Sequence, residues 1–222
     1  MEIHFDEELR HLKQKLLHMA DLSQSMIGLA VGALTERNIS LAEDVFINED
    51  KVNHLEIEIE EETLRLFAVR QPAARDLRLL TAVLKINNDL ERIADQAVNI
   101  AEIAAELAKL PPLKPYIDIP HMANLAQKMI QNSLKAFVNH DSGLAQEVCK
   151  DDDEVDRIND QIFRELLTYM MEDPKSITRA VDIILVSRNL ERIADHATNI
   201  SEDVIFIEEG KNIKHHIQEE TL

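Results

Sequence analysis

The stretch Asp89-Leu-Glu-Arg-Ile-Ala-Asp-Gln-Ala-Val-Asn99 occurs twice. Its second copy is Asn189-Leu-Glu-Arg-Ile-Ala-Asp-His-Ala-Thr-Asn199. Each copy lies in an apolar run of 3,4,3,4 spacing. The first run is Val83, Ile86, Leu90, Ile93, Ala97, Ile100 and Ala104. The second is Ile183, Val186, Leu190, Ile193, Ala197, Ile200 and Val204. That period belongs to a helix that buries one stripe against its neighbours. At about 100° per residue, Glu91, Asp95 and Asn99 form a separate row away from that stripe, as do Glu191, Asp195 and Asn199. Like charges four residues apart destabilise an isolated helix by roughly 0.2–0.5 kcal/mol per pair. Solvent, the adjacent Arg92 and Arg192, or a bound cation must offset this.

The rest of the chain repeats in the same order. Met19-Ala-Asp-Leu-Ser-Gln-Ser-Met-Ile27 answers Met122-Ala-Asn-Leu-Ala-Gln-Lys-Met-Ile130, and residues 19–53 share 12 of 35 positions with 122–156. Gln71-Pro72 is expected to open the third helix, with Pro near its first turn, where a missing N–H is harmless, and it answers Asp173-Pro174. An ordered offset over three successive helical patterns indicates duplication of a three-helix unit. Four of the six prolines fall between Leu110 and Pro120, where they mark a linker, because proline is excluded from helix interiors. The expected architecture is all-α: two tandem, pseudo-symmetric three-helix bundles. The first bundle spans 1–110, the proline-rich linker 111–120, the second bundle 121–209, and a polar, fraying tail 210–222. Short turns between long helices require antiparallel packing.

Few glycines, no tryptophan and 45% apolar residues suit bundles packed with aliphatic side chains. No apolar run is long enough to span a membrane, and the acidic N-terminus is unlike a secretory signal. One cysteine, Cys149, forms no internal disulfide, which fits a reducing cytoplasm. A net charge of −18 opposes nucleic acid and anionic membranes and favours cations and basic protein surfaces.

The duplication exposes a second acidic step. Glu49-xxx-Asn53 aligns with Asp152-xxx-Asp156. If the second and third helices of each unit are neighbours, Glu49, Asn53, Glu91, Asp95 and Asn99 converge in one half. Asp152, Asp156, Glu191, Asp195 and Asn199 converge in the other. Such oxygen-rich sets suit Mg²⁺, Mn²⁺ or iron, and the identity of the metal, zinc included, stays open. The plain alternative is a solvated acidic face. His196 and His54 stand beside these rows, either assisting a metal or exposed. Cys149 aligns with Phe46 and is expected to be a buried small side chain. Tyr169, Met170 and Met171 are expected to be core and hinge residues. No phosphate-binding loop and no HExxH occur. Only Glu8-xx-His11 fits a di-iron pair, and no catalytic set can be assembled, so no enzymatic activity is expected.

These motifs resemble the PhoU family of phosphate-transport regulators. The resemblance is carried by the paired Leu-Glu-Arg-Ile-Ala-Asp-…-Asn signatures, Lys51-Val-Asn53, the run Val69-Arg-Gln-Pro-Ala-Ala-Arg-Asp-Leu-Arg-Leu79, Glu154-Val-Asp156 and Leu167-Thr-Tyr-Met-Met-Glu-Asp-Pro174. It covers all but the tail. It implies a cytoplasmic, non-enzymatic homodimer that limits phosphate uptake and restrains the phosphate-starvation response. Such a protein acts between the ATPase subunit of a phosphate ABC transporter and a phosphate-sensing histidine kinase. It also implies metal binding through the acid-xxx-Asp motifs, with Glu49, Asn53, Glu91 and Asp95 in one site and Asp152, Asp156, Glu191 and Asp195 in the other. Asn53 departs from the family motif, which has Asp there, and so weakens the first site in charge. The alternative is a PhoU-like metal-binding adaptor outside the phosphate system.

Overall fold

The computed structural model describes residues 2–210, and the polar tail falls outside them apart from Gly210. Six helices follow in order: α1 (Glu2–Glu36), α2 (Ile39–Arg70), α3 (Ala74–Leu107), α4 (Asp118–Asn139), α5 (Ser142–Glu172) and α6 (Ile177–Glu209). A 3-10 turn, Pro174–Ser176, links α5 to α6. The described residues contain no strand. None of their helices is long and apolar enough to cross a membrane.

Local chemistry sets the helix ends. Arg37 adopts a left-handed conformation, φ 56°, and ends α1. The Asn38 side chain then accepts a hydrogen bond from the Ser40 amide, starting α2. Asp141 caps α5 in the same way by accepting from the Leu144 amide, after a left-handed His140. Gly210, φ 70°, closes α6 in the conformation that glycine adopts without a Cβ penalty.

Helices α1, α2 and α3 pack on one another, and so do α4, α5 and α6. The heptad residues of the duplicated helices are all buried, from Val83 to Ala104 and from Ile183 to Val204. Only α3 and α6 bury side chains on most of their circumference, because each serves its own bundle and also the other: α3 packs along α6. A lesser contact joins α1 to α4. The two bundles therefore share a spine of two long helices, with α2 and α5 on the outside.

Three expectations need correction. Pro72 lies before α3, whose N-cap is Ala73, because the chain turns through left-handed residues at Gln71 and Ala74. Pro120 belongs to the first turn of α4, where a missing N–H leaves no helical bond unmade. The linker thus ends at Ile117. It is also held at both sides. Arg37 donates to the carbonyls of Ala108 and Leu110, each at 2.7 Å, and Arg179 donates to that of Pro111 at 2.9 Å. Lys114 pairs with Glu165. Met171 is the third correction: it is 84% exposed rather than a core residue.

Candidate metal centre

The second half is the more acidic. Asp152 and Asp156 lie one turn apart on α5, and Glu191 and Asp195 one turn apart on α6. The two pairs feel each other across the α5/α6 seam. Burial, then Asp195, Asp156, Asp153 and Glu191, push the Asp152 carboxyl up to about 7. Burial and the neighbouring carboxylates Asp153 and Asp160 raise Asp156. Burial, then Asp156 and Asp195, raise Glu191 against the opposing pull of Arg188 and Arg192. Asp195 is raised by burial and Asp156, and held back by His196 and Arg192. The Oδ1 atom of Asp152 is buried without a hydrogen-bond partner. A buried, unpaired carboxylate oxygen among four neighbouring carboxylates is costly and favours either a proton or a cation.

The first half is similar but weaker. Burial, followed by Asp95, Asp50 and Glu102, raises Glu49. Glu91 is raised by burial and by Asp95, with Arg92 opposing. Arg92 sits 3.3 Å from Glu91 and 3.2 Å from Asp95, so part of the negative charge is already met. The sequence offered a local arginine or a cation as the counterweight, and in this half the arginine takes part of that role. Asn53 supplies an amide where the second half has Asp156.

The donor chemistry fits a hard cation, since carboxylate and amide oxygens are the ligands such ions prefer. As the side chains stand, no three His, Cys, Asp or Glu groups among the described residues converge at ligand distance. Capture of an ion would require these partly exposed side chains to rotate.

The two asparagines that end the signatures reach elsewhere, across the α3/α6 seam between bundles. Asn199 donates to Asp89 at 3.3 Å, and Asn99 donates to Asn189 at 3.4 Å. The His196 Nδ1 lies 2.8 Å from the same Asp89 oxygen. His196 is therefore neither exposed nor turned to the acidic row, but half-buried in an inter-bundle contact. Its counterpart Gln96 is buried with an unpaired Oε1. This polar seam was absent from the sequence reading. Its signal was present: Asp89/Asn189, Gln96/His196 and Asn99/Asn199 are three polar pairs at the repeat offset of 100.

Other singled-out residues have ordinary surroundings. His54 is exposed, with its Nδ1 at 3.1 Å from the Asp50 carbonyl of its own helix. Cys149 is half-buried rather than buried, and burial first, then Glu202 and Asp152, push its thiol up to about 11, which keeps it protonated and unreactive. Glu8 binds Arg65 and Arg70. His11 lies 3.6 Å from Glu62.

Geometry alone thus defines a class: a duplicated three-helix protein with matched, outward-facing acid rows. The duplicated three-helix fold is shared with known proteins. The PhoU domain profile matches the chain twice, at 16–104 and 119–204. The chain is 44% identical to a phosphate-specific transport system accessory protein PhoU homolog of Aquifex aeolicus, over 96% of this chain and 97% of that one. The crystal structure of PhoU from Pseudomonas aeruginosa superposes with a TM-score of 0.90 at 42% identity, covering 93% of this chain and all of that chain. The phosphate transport system regulatory protein PhoU from Streptococcus pneumoniae superposes with a TM-score of 0.85 at 27% identity, covering 94% of this chain and 98% of that one. The chain belongs to the PhoU family.

Proposed function

We propose that the protein is an accessory regulator of phosphate-specific transport. It acts in the cytoplasm, without catalysis of its own, between the transporter's ATPase subunit and a phosphate-sensing histidine kinase. The end-to-end likeness to relatives named for phosphate transport supports this reading. In it, the carboxylate rows hold a divalent metal or iron. Asp152, Asp156, Glu191 and Asp195 form the stronger site, and Glu49, Asn53, Glu91 and Asp95 the weaker. Metal binding neutralises a patch that otherwise repels itself, and so changes which charged surface the protein can meet.

Two measurements test it. Pull-down of the transporter ATPase and the kinase from the same organism should recover both with the wild-type protein. Recovery of neither would place the chain outside the phosphate system. Elemental analysis of purified protein should show bound metal, and Glu191→Ala with Asp195→Ala should remove the share held by the second bundle. Unchanged metal content in that variant would refute the site assignment.

A further inference from the structure

The acidic row on α5 and α6 does not stand alone. At 3.6 residues per turn, Asp152, Asp156, Asn159, Phe163 and Leu167 share one line on α5. Asp195, Glu191, Arg188, Ile184, Val181 and Ile177 share one line on α6. The helices are antiparallel neighbours joined by the 3-10 turn, so the lines run side by side. Asp152 and Asp156 on α5 and Glu191 and Asp195 on α6 lie similarly far from the connecting turn, so the carboxylates share one end of the strip. Farther along, Asn159, Asp160, Phe163, Ile184 and Arg188 line one shallow cleft of about 180 Å³. The result is a single strip on the order of 28 Å long, at about 1.5 Å per residue. One end carries four carboxylates and the other is apolar.

The apolar end is open. Phe163 is 42% exposed, Val181 41% and Leu185 42%, and Leu167, Met171 and Ile177 are exposed as well. Single exposed apolar residues need no explanation, but several on adjoining turns of two packed helices do. The fold does not require it. At the matching places of the first bundle stand Glu60, Leu64, Ala68, Leu77, Thr81 and Lys85. There Lys85 is engaged with the buried Asp203 at 3.0 Å. The same frame therefore tolerates charge and hydroxyl where the second bundle shows Phe163, Val181 and Leu185.

We propose that this strip is a docking surface for an amphipathic helix of a partner protein, one with an apolar stripe and a lysine- or arginine-rich end. The inference rests on the reading of the chain as a regulator that works by docking. Such a helix meets both halves of the strip at once: its stripe covers Phe163, Val181 and Ile184, and its cationic end meets Asp152, Asp156, Glu191 and Asp195. A second copy of this chain fits worse. A two-fold pairing in antiparallel register would lay each acidic end over the partner's apolar end, desolvating carboxylates without a counter-charge. Of the guanidiniums near the apolar end, Arg164 pairs with Asp160 and Arg179 binds the Pro111 carbonyl, while Arg188, midway along the strip beside its own Glu191, would meet its own counterpart in such a pairing rather than the partner's carboxylate end. Net charges of −18 on each copy add repulsion.

The test uses the full chain in EDTA, so that metal plays no part, and two labelled synthetic helical peptides long enough to cover the strip. Both have a leucine stripe and equal lysine content. One gathers its lysines at its C-terminal turn, and the other spreads them evenly. Fluorescence anisotropy should show the end-loaded peptide binding about tenfold tighter, a difference of about 1.4 kcal/mol. Phe163→Glu with Val181→Glu should weaken it at least about tenfold. Leu64→Glu with Thr81→Glu in the first bundle should leave it unchanged. Asp152→Asn with Asp156→Asn should weaken only the end-loaded peptide and flatten its salt dependence. Phe163→Ala with Val181→Ala, judged beside circular dichroism, guards against misfolding of the glutamate variant. Equal loss from the first-bundle variant, or no loss from either second-bundle variant, would overturn the proposal. So would a sedimenting dimer that Val181→Glu makes monomeric, because the strip's occupant would then be a second copy. The peptides stand in for no named partner. Failure to recover the transporter or kinase therefore bears on the proposed function, and failure here bears on the strip alone.

Discussion

The two halves agree inside and differ outside. Leu90 and Leu190, Ile93 and Ile193, and Ala97 and Ala197 are fully buried at the same offset of 100. Around this shared interior, the first half keeps Asn53 in its acid row and lets Arg92 bridge Glu91 and Asp95. The second half keeps Asp156 and leaves a buried oxygen of Asp152 unpaired. Burial constrains both copies to one solution because any change of volume is felt there. The surface is free to diverge, and in the acid row and along the α5/α6 strip the divergence strengthens charge or apolar exposure in the second half. The difference teaches that the halves are one scaffold carrying two unlike faces.

The largest effect should be common to both halves. Leu90→Ala and Leu190→Ala each remove a fully buried side chain and should cost about 2–5 kcal/mol. Thermal melts should show both losses, at roughly 2–4 °C per kcal/mol for a chain of this size. A loss confined to one variant would show that the interiors are not equivalent.

Next comes the acid row. Asn53→Asp should bring the first site toward the second and raise its affinity for Mn²⁺ by about tenfold, the order expected for an added charged ligand. Isothermal titration calorimetry reads it directly. An unchanged affinity would mean that Arg92, not residue 53, limits that site.

The pH dependence should be smaller and should sit in the second half. Because the Asp152 carboxyl is raised to about 7 in the folded protein, its contribution to stability is full at low pH and is lost as pH rises through about 7. In EDTA, Asp152→Asn should therefore stabilise the protein at pH 8 by about 1–2 kcal/mol, after allowing for solvent screening of a half-exposed group. It should do little at pH 4. Denaturant melts at both values check the sign, and destabilisation at pH 8 would contradict the electrostatic reading of this site.

The smallest effect should lie at the polar seam. Asn199→Ala removes a hydrogen bond to Asp89, and Asn99→Ala removes the longer one to Asn189. Each should cost roughly 0.5–1.5 kcal/mol, with the Asn199 change the larger because its acceptor is charged. The reverse order in chemical denaturation would show that Asp89 depends on His196 alone.

The helices, the duplication and the acid rows on single helices were legible from spacing, because a 3.6-residue period fixes which side chains share a face. What spacing does not carry is the rotation of one bundle against the other. The sequence shows Asn99 and Asn199 in line with the carboxylates. Only the packing of α3 on α6 decides that they bond across the seam. The same holds for His196, whose partner Asp89 is 107 residues away in sequence. Met171 was misread for a related reason. An apolar residue near a helix end is core by pattern, yet Met171 lies past Leu166, the last buried residue of α5, and is exposed.

The arginine clamps on the linker have a mechanical consequence. Arg37 leaves from the turn between α1 and α2, Arg179 from the start of α6, and both grip the same short segment of backbone. Together with the α3/α6 spine, they deny the chain a hinge at its proline-rich linker. The separation between the two acid rows then behaves as a fixed gauge. A partner that grips both rows would read a set distance, and would have to bring its own moving parts.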